Sequence, residues 1–203
     1  ERIGEELLKM FSGRNPDKAL SLLDETSLLD IILPEISALK DIEQPPLFHP
    51  EGCVFDHTKL MLKMFGGGSV TLAFGILFHD IGKLAKPEYF TENNIDTQNR
   101  HVSLRPGMSS MIIMNHVKEG VNLAIKYKLC RLIRDAIQQH HGTDLVYYFY
   151  KRALDEDNKK TRDITESEYR YPGPKPCEKE IALVSLADCC EAASRSLAKP
   201  TPS

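Results

Sequence analysis

The sequence predicts an all-α fold, on three observations. Apolar residues recur at three- and four-residue spacing over runs of helix length. No segment alternates apolar and polar residues as a half-buried strand does. Glycine, proline and asparagine mark the main breaks between the runs. No internal repeat is present.

Taken in order, residues 1–33 read as two amphipathic helices. Ile3, Leu7, Leu8, Met10 and Phe11 make the first apolar face, and Gly13 with Asn15-Pro16 breaks it. Pro16 suits a helix start, after which Ala19, Leu20, Leu22 and Leu23 carry the second. Leu28 to Leu33 prolongs the stripe until Pro34. An irregular segment through Gln44-Pro45-Pro46 and His49-Pro50-Glu51-Gly52 leads into a helix over 54–65, which Gly66-Gly67-Gly68 ends. The apolar run from Thr71 to Phe78 predicts a buried helix reaching Asp80. Residues 86–107 hold few periodic apolars and many loop formers, and a long loop beside a site is more often functional than idle. Helices are expected again at 109–116, 121–126, 129–140 and 145–154. A charged, solvated loop then spans 155–168, and a last helix 177–197. The chain divides into an N-terminal helical extension, 1–46, and a main helical domain, 47–203.

Composition narrows the function. At 203 residues the chain can bury roughly 70% of its unfolded surface. A net charge of −3 and a pI near 6.2 argue against a surface built to grip a long nucleic acid, so a phosphate-bearing partner should be small and held in a local pocket. The five cysteines (Cys53, Cys130, Cys177, Cys189, Cys190) form no CxxC pair, and Cys189 and Cys190 are expected reduced on a buried helix in a cytoplasmic setting. No apolar run has the ~18 residues of a membrane span, so no membrane contact is expected of this piece. The lack of an initiator methionine reads as an excised fragment, whose parent has room for a membrane anchor.

Chemistry converges on His79-Asp80, where imidazole and carboxylate together suit zinc, iron or manganese. Adjacent helical residues diverge by about 100°, so two metals bridged by the carboxylate fit better than one. Lys83, one turn on, can place an ammonium where a phosphate would sit. Five further candidates lie on predicted helices or at their ends: His57, His116, His140, His141 and Asp188. For His116 the competing reading is a partly buried core histidine. A double histidine at a helix break, His140-His141-Gly142, is harder to explain by packing. Asp188 in an apolar helix would cost several kcal/mol unpaired, and a metal resolves that cost. His49 and His101, in loops, read as hydrogen-bonding residues, and Glu51 as a weak extra candidate.

The order His57 … His79-Asp80 … His116 … His140-His141 … Asp188 resembles the HD-domain metal-dependent phosphohydrolases. From Phe78 to about Ala198 the chain is similar to the cytoplasmic domain of the seven-transmembrane HD family of cyclic di-AMP phosphodiesterases. The stretches that carry this are His79-Asp-Ile-Gly-Lys83, Lys86 to Asn93, His116-Val-Lys-Glu-Gly120 and Gln138-Gln-His-His-Gly-Thr143, with Tyr148-Phe149-Tyr150, Arg170-Tyr-Pro-Gly-Pro-Lys-Pro176 and Leu186 to Ala193. Residues 1–60, with Asn15-Pro16, Leu33-Pro34-Glu35, His49-Pro-Glu-Gly52 and His57-Thr58, instead resemble the helical region before the HD domain of bacterial CCA-adding nucleotidyltransferases. Both families supply a histidine where His57 stands. The HD-GYP relatives, which cleave cyclic di-GMP, match less well, because Gly142 stands where they carry glutamate.

The resemblance implies an HD-domain helical bundle holding two divalent transition-metal ions, iron or manganese. His57, His79 and Asp188 would serve one, His116, His140 and His141 the other, with Asp80 bridging. A hydroxide generated between them would attack phosphorus while Asp80 and Lys83 act as the catalytic pair, opening cyclic di-AMP to the linear dinucleotide. Lys83, Thr143, Tyr148, Tyr150, Arg170 and Tyr171 are the expected substrate contacts. A phosphatase or 2′,3′-cyclic phosphodiesterase of the kind attached to CCA-adding enzymes is the alternative activity, and a non-catalytic nucleotide-binding module the alternative class.

Overall fold

The computed structural model describes residues 2–43, 52–90, 100–156 and 164–195, with side chains up to 190. Among the described residues the fold is all-helical, with two isolated antiparallel bridges, Glu43 to Cys53 and Leu145 to Arg170, and no strand. His49, Glu51, Asn93 and the region around Pro200 lie outside the described residues.

The N-terminal part is built of four short helices: α1 (Arg2–Ser12), α2 (Pro16–Glu25), α3 (Leu28–Ile32) and α4 (Pro34–Ser37). Prolines open α2 and α4, where a missing N–H costs nothing because the first helical amides have no partner in the helix. The helix α5 (Val54–Phe65) ends at Gly66, whose φ of +70° closes the last turn in the left-handed region. Ser69 then caps α6 (Val70–Phe78), its hydroxyl accepting from the Leu72 N–H. Phe11 of α1 is fully buried and its ring lies 5.3 Å from that of Phe74 in α6. Leu20, Leu23, Leu29, Ile36 and Leu39 belong to the same buried cluster as Met61, Leu62, Ile76, Leu77 and Ile137. The extension therefore shares one core with the rest, each such side chain contributing about 1.5–3 kcal/mol by burial.

After α6 come two 3-10 turns, Ile81–Ala85 and Pro87–Tyr89, and then the longest helix, α7 (Pro106–Lys126). Two helices had been expected in that last stretch, divided near Gly120. Gly120 instead sits inside one continuous helix, because it faces the backbone of Gly82 and the Ile137 side chain, where a Cβ would stand 2.7 Å from Ile137 Cγ2. α8 (Arg131–Gln139), α9 (Tyr147–Glu156), a 3-10 turn Glu166–Tyr169 and α10 (Lys179–Arg195) complete the chain. Among its described side chains α10 buries Ile181 and Val184, while Leu183 and Leu186 face outward. Cys189 is half-buried and Cys190 exposed, so the expected burial of that pair does not hold for Cys190. All five cysteines are free thiols.

Candidate metal centre

The divergence problem of adjacent ligands is solved by helix ends. His79 is the C-cap of α6, still helical, and Asp80 leaves the helix at φ −98° and ψ 9°. His140 likewise caps α8, and His141 follows in the turn that Gly142, at φ +50°, completes. Each doublet straddles the point where its helix stops, so both side chains turn inward.

Five histidines and two aspartates meet at one place. His116 Nε2 lies 3.4 Å and His140 Nε2 3.9 Å from Asp80 Oδ1, while His79 Nε2 lies 3.4 Å from Asp80 Oδ2. Asp188 reaches His57 Nε2 at 3.6 Å with one oxygen and His141 Nδ1 at 3.2 Å with the other. Two sets could each hold an ion, Asp80 with His116, His140 and His141, and Asp80 with His57 and His79. Asp80 belongs to both. Its Oδ2 accepts from the Lys83 ammonium at 2.7 Å.

Three of the imidazoles are keyed by their own backbone. Nδ1 of His79, His116 and His140 lies 2.6–2.8 Å from the carbonyl oxygen three residues earlier, of Ile76, Ile113 and Ile137. A carbonyl only accepts, so in each ring Nδ1 carries the proton and Nε2 presents a lone pair. Those lone pairs face other lone pairs: His116 Nε2 stands 3.3 Å from His140 Nε2, and buried His79 Nε2 has no hydrogen-bond partner. Protonation does not relieve the opposition near neutrality. Burial, outweighing the pull of Asp80, lowers His116 to about 4. Burial together with the neighbouring His79 and His116 lowers His140 to about 3. His141 is held well below its usual value by burial and by the neighbouring His140 and His116. Asp80 is opposed by burial, yet the charges of Lys83, His79 and His116 win and hold it well below the usual carboxylate range. A buried cluster of imidazole and carboxylate acceptors turned toward one another fits divalent cations.

Around this centre lie residues that the sequence reading did not single out. Phe90 is buried with its ring edge-on to His116 at 5.9 Å, and Lys83 Nζ stands 5.8 Å from the same ring. Phe90 lies in the Lys86 to Asn93 stretch that carried the family resemblance, where no role was assigned to it. Gln139 accepts from the Cys177 N–H at 2.9 Å, and Asp144 accepts from the Cys189 thiol at 3.1 Å. Burial and that bond push the Cys189 thiol up to about 12.

The expected substrate contacts are dispersed. Lys83 is at the centre and Thr143 in the turn after the double histidine. Tyr148 is exposed at the start of α9. Tyr150 instead packs on Tyr169, ring centroids 5.6 Å apart, in a second small core with Phe149 and Ala153. The Arg170 guanidinium is engaged by Glu166 and by the Thr143 carbonyl, at 2.7 and 2.9 Å. Tyr171 is buried with its ring stacked on His141, at 4.3 Å and 26°. Burial, with the charges of Asp188 and Asp80, raises its hydroxyl well above the usual range, so it stays protonated. His101, buried, lies with Nε2 2.9 Å from the Tyr89 carbonyl, which joins the two ends of 90–100.

A helical bundle that brings a histidine-aspartate and a double-histidine pair from its helix ends to one buried point defines the class, and the chain belongs to the HD-domain family, whose model ("HD domain") matches residues 49–193. It is 36% identical over 188 residues to the cyclic-di-AMP phosphodiesterase PgpH of Bacillus subtilis, covering 92% of this chain and 26% of that protein. To the protein of the same name from Listeria monocytogenes it is 36% identical over 182 residues, 89% of this chain and 25% of that one. The crystal structure of the L. monocytogenes PgpH HD domain in complex with cyclic-di-AMP matches with a TM-score of 0.64 at 36% identity, over 83% of this chain and 76% of that one. Residues 1–40 match a model described as "Probable RNA and SrmB- binding site of polymerase A". The multifunctional CCA protein of Tolumonas auensis is 37% identical over 91 residues, 44% of this chain and 22% of that one. The chain thus spans about a quarter of the length of the curated PgpH relatives. Among the described residues no helix is long and apolar enough to cross a membrane.

Proposed function

We propose that the chain is a metal-dependent phosphodiesterase that opens a cyclic dinucleotide, with cyclic di-AMP as the substrate and the linear dinucleotide as the product. The observation that supports the chemistry is the ring of opposed lone pairs around Asp80, which suits cations and lies beside Lys83. His57, His79 and Asp188 would hold one ion, His116, His140 and His141 the other, with Asp80 shared. When bound, two such ions, iron or manganese, supply an activated water and Lewis acidity toward phosphoryl oxygens.

The chain's own residues do the rest. Asp80 stays ionised, and the backbone-keyed histidines keep their lone pairs inward without reorganising when phosphate arrives. His141 and Asp188, with side chains 20% and 15% exposed against 3% or less for His57, His79, Asp80, His116 and His140, form the open side from which substrate approaches. Lys83 offers its ammonium to the charge that grows on the phosphoryl group. In the overall step water adds to phosphorus, one ester P–O bond breaks, and the departing ribose oxygen leaves as an alcohol with a proton from that water. Thr143, in the turn after the double histidine, and Tyr148, exposed at the start of α9, are the remaining candidates for nucleotide contact. The relatives support the cyclic dinucleotide, since the matched HD domain was crystallised with cyclic-di-AMP.

The match of residues 1–40 and the likeness to CCA proteins favour a second reading, a phosphatase or 2′,3′-cyclic nucleotide phosphodiesterase. Hydrolysis of cyclic di-AMP, 2′,3′-cyclic AMP and a nucleotide monophosphate by manganese-loaded protein separates the two. Linear di-AMP as the main product is expected. Turnover of the 2′,3′-cyclic nucleotide with cyclic di-AMP left intact would overturn the proposal.

A further inference from the structure

His141 is held differently from its neighbours. His79, His116 and His140 each have Nδ1 tied to a carbonyl of the preceding turn, whereas His141 turns its Nδ1 to Asp188 Oδ2 at 3.2 Å and has no backbone tie. It is also the most exposed of the clustered imidazoles, its side chain 20% accessible. The face of Tyr171 lies against this ring, 4.3 Å away and inclined by 26°.

Tyr171 is itself delivered by a strap. Its N–H donates to the Asp144 carbonyl at 2.9 Å, and the Val146 N–H donates to the Tyr169 carbonyl at 2.8 Å. Arg170 Nη1 donates to the Thr143 carbonyl and the Cys177 N–H to Gln139 Oε1, both at 2.9 Å. These ties fall on both sides of the His140-His141 turn, so residues 169–177 run across it. Gly142 makes room for the crossing, since a Cβ there would stand 3.3 Å from Pro176 Cδ.

Building on the metal-centre reading above, we propose that Tyr171 is a positioning residue for His141, and that the centre reaches full metal affinity only with the 169–177 strap docked on the turn. An imidazole without a backbone tie can rotate about its Cβ–Cγ bond, and an arriving ion must then freeze it. The stacked phenol removes that cost in advance, as groups behind the ligands of a metal commonly do. Only the ring face is needed, because the hydroxyl makes no hydrogen bond to His141.

The test is calorimetric titration of metal-free protein with Mn²⁺, comparing wild type, Tyr171→Phe and Tyr171→Leu. The Leu variant is expected to bind its weaker equivalent about 10-fold less tightly or worse, and the Phe variant to restore wild-type affinity. A second readout needs no variant: in metal-free wild-type protein the carbon-bound ring protons of His141 should be shifted upfield by the ring current of Tyr171. Unchanged affinity in Tyr171→Leu, or the absence of that shift, overturns the positioning role while leaving the metal centre standing. Wild-type protein that takes up no Mn²⁺ overturns the metal centre and this role with it.

Discussion

Gly82 and His116 meet backbone to backbone: a Cβ on Gly82 would stand 1.8 Å from the His116 carbonyl oxygen and 2.5 Å from the Gly120 nitrogen. This contact seats the 3-10 turn after Asp80 directly on α7 and so sets how far Asp80 lies from His116. Gly82→Ala is therefore expected to destabilise by about 3 kcal/mol or more, since neither backbone can retreat within a packed core. Gly120→Ala meets mainly the movable Ile137 Cγ2, at 2.7 Å, and gains some helix propensity, so it should cost less. Urea unfolding of both variants measures the difference. Equal, small losses would show that the two backbones are not in contact.

Lys83 is nearly as buried as the Asp80 carboxylate it serves, at 9% and 3% exposure. Lys83→Met keeps the stem and removes the charge, leaving a buried carboxylate uncompensated. A loss of about 3–5 kcal/mol is expected in metal-free protein. A markedly smaller loss is expected with metal bound, because the ion then neutralises Asp80. Denaturation with and without Mn²⁺ checks this, and the same loss in both states would contradict it.

Acid should weaken the metal-free fold well above the carboxylate range. An unfolded imidazole titrates near 6.5, whereas folded His116 is lowered to about 4 and His140 to about 3. Below pH ~6.5 the unfolded chain binds more protons than the folded one, so stability falls as pH drops from about 6.5 toward 4, by up to ~1.4 kcal/mol per pH unit for each residue. Asp80, also lowered, adds its own loss only below about pH 4. Thermal melts of chelator-treated protein at pH 7, 6 and 5 give the slope. His140→Asn should flatten it.

His116 is the ligand whose competing reading, a core histidine, was strongest. Its Nδ1 bond to Ile113 and its contact with Asp80 predict a specific outcome for His116→Ala. The variant should remain helical, retain about half the metal and lose nearly all turnover, since one of two ions goes. Elemental analysis beside the hydrolysis assay decides it. Full metal content with normal activity would return His116 to the core.

Much of this was legible in the chain. The helical class followed from spacing, and the positions of the two doublets from chemistry that packing alone explains badly. Legibility failed where contacts are long-range and aperiodic. Tyr171 lies in a proline-rich stretch without hydrophobic period, and its stack on His141, thirty positions earlier, leaves no local trace. Arg170 was read as a substrate contact, and nothing in its local sequence shows that Glu166 and the Thr143 carbonyl engage its guanidinium. Helices were expected at 109–116 and 121–126, and only the neighbouring Gly82 backbone shows why a glycine is tolerated inside the continuous α7. The doublets were read at helix ends, but that each helix stops between their members rests on a boundary that periodicity locates only to within a few residues.

The carbonyls of Ile76, Ile113 and Ile137 that hold the three rings belong to the main chain. No substitution at 76, 113 or 137 deletes them, so those side chains are free to vary with the demands of the core. The tautomers are inherited from helical geometry itself. Damage to them has to come from fraying of a helix end, which would release ring, proton and ion together.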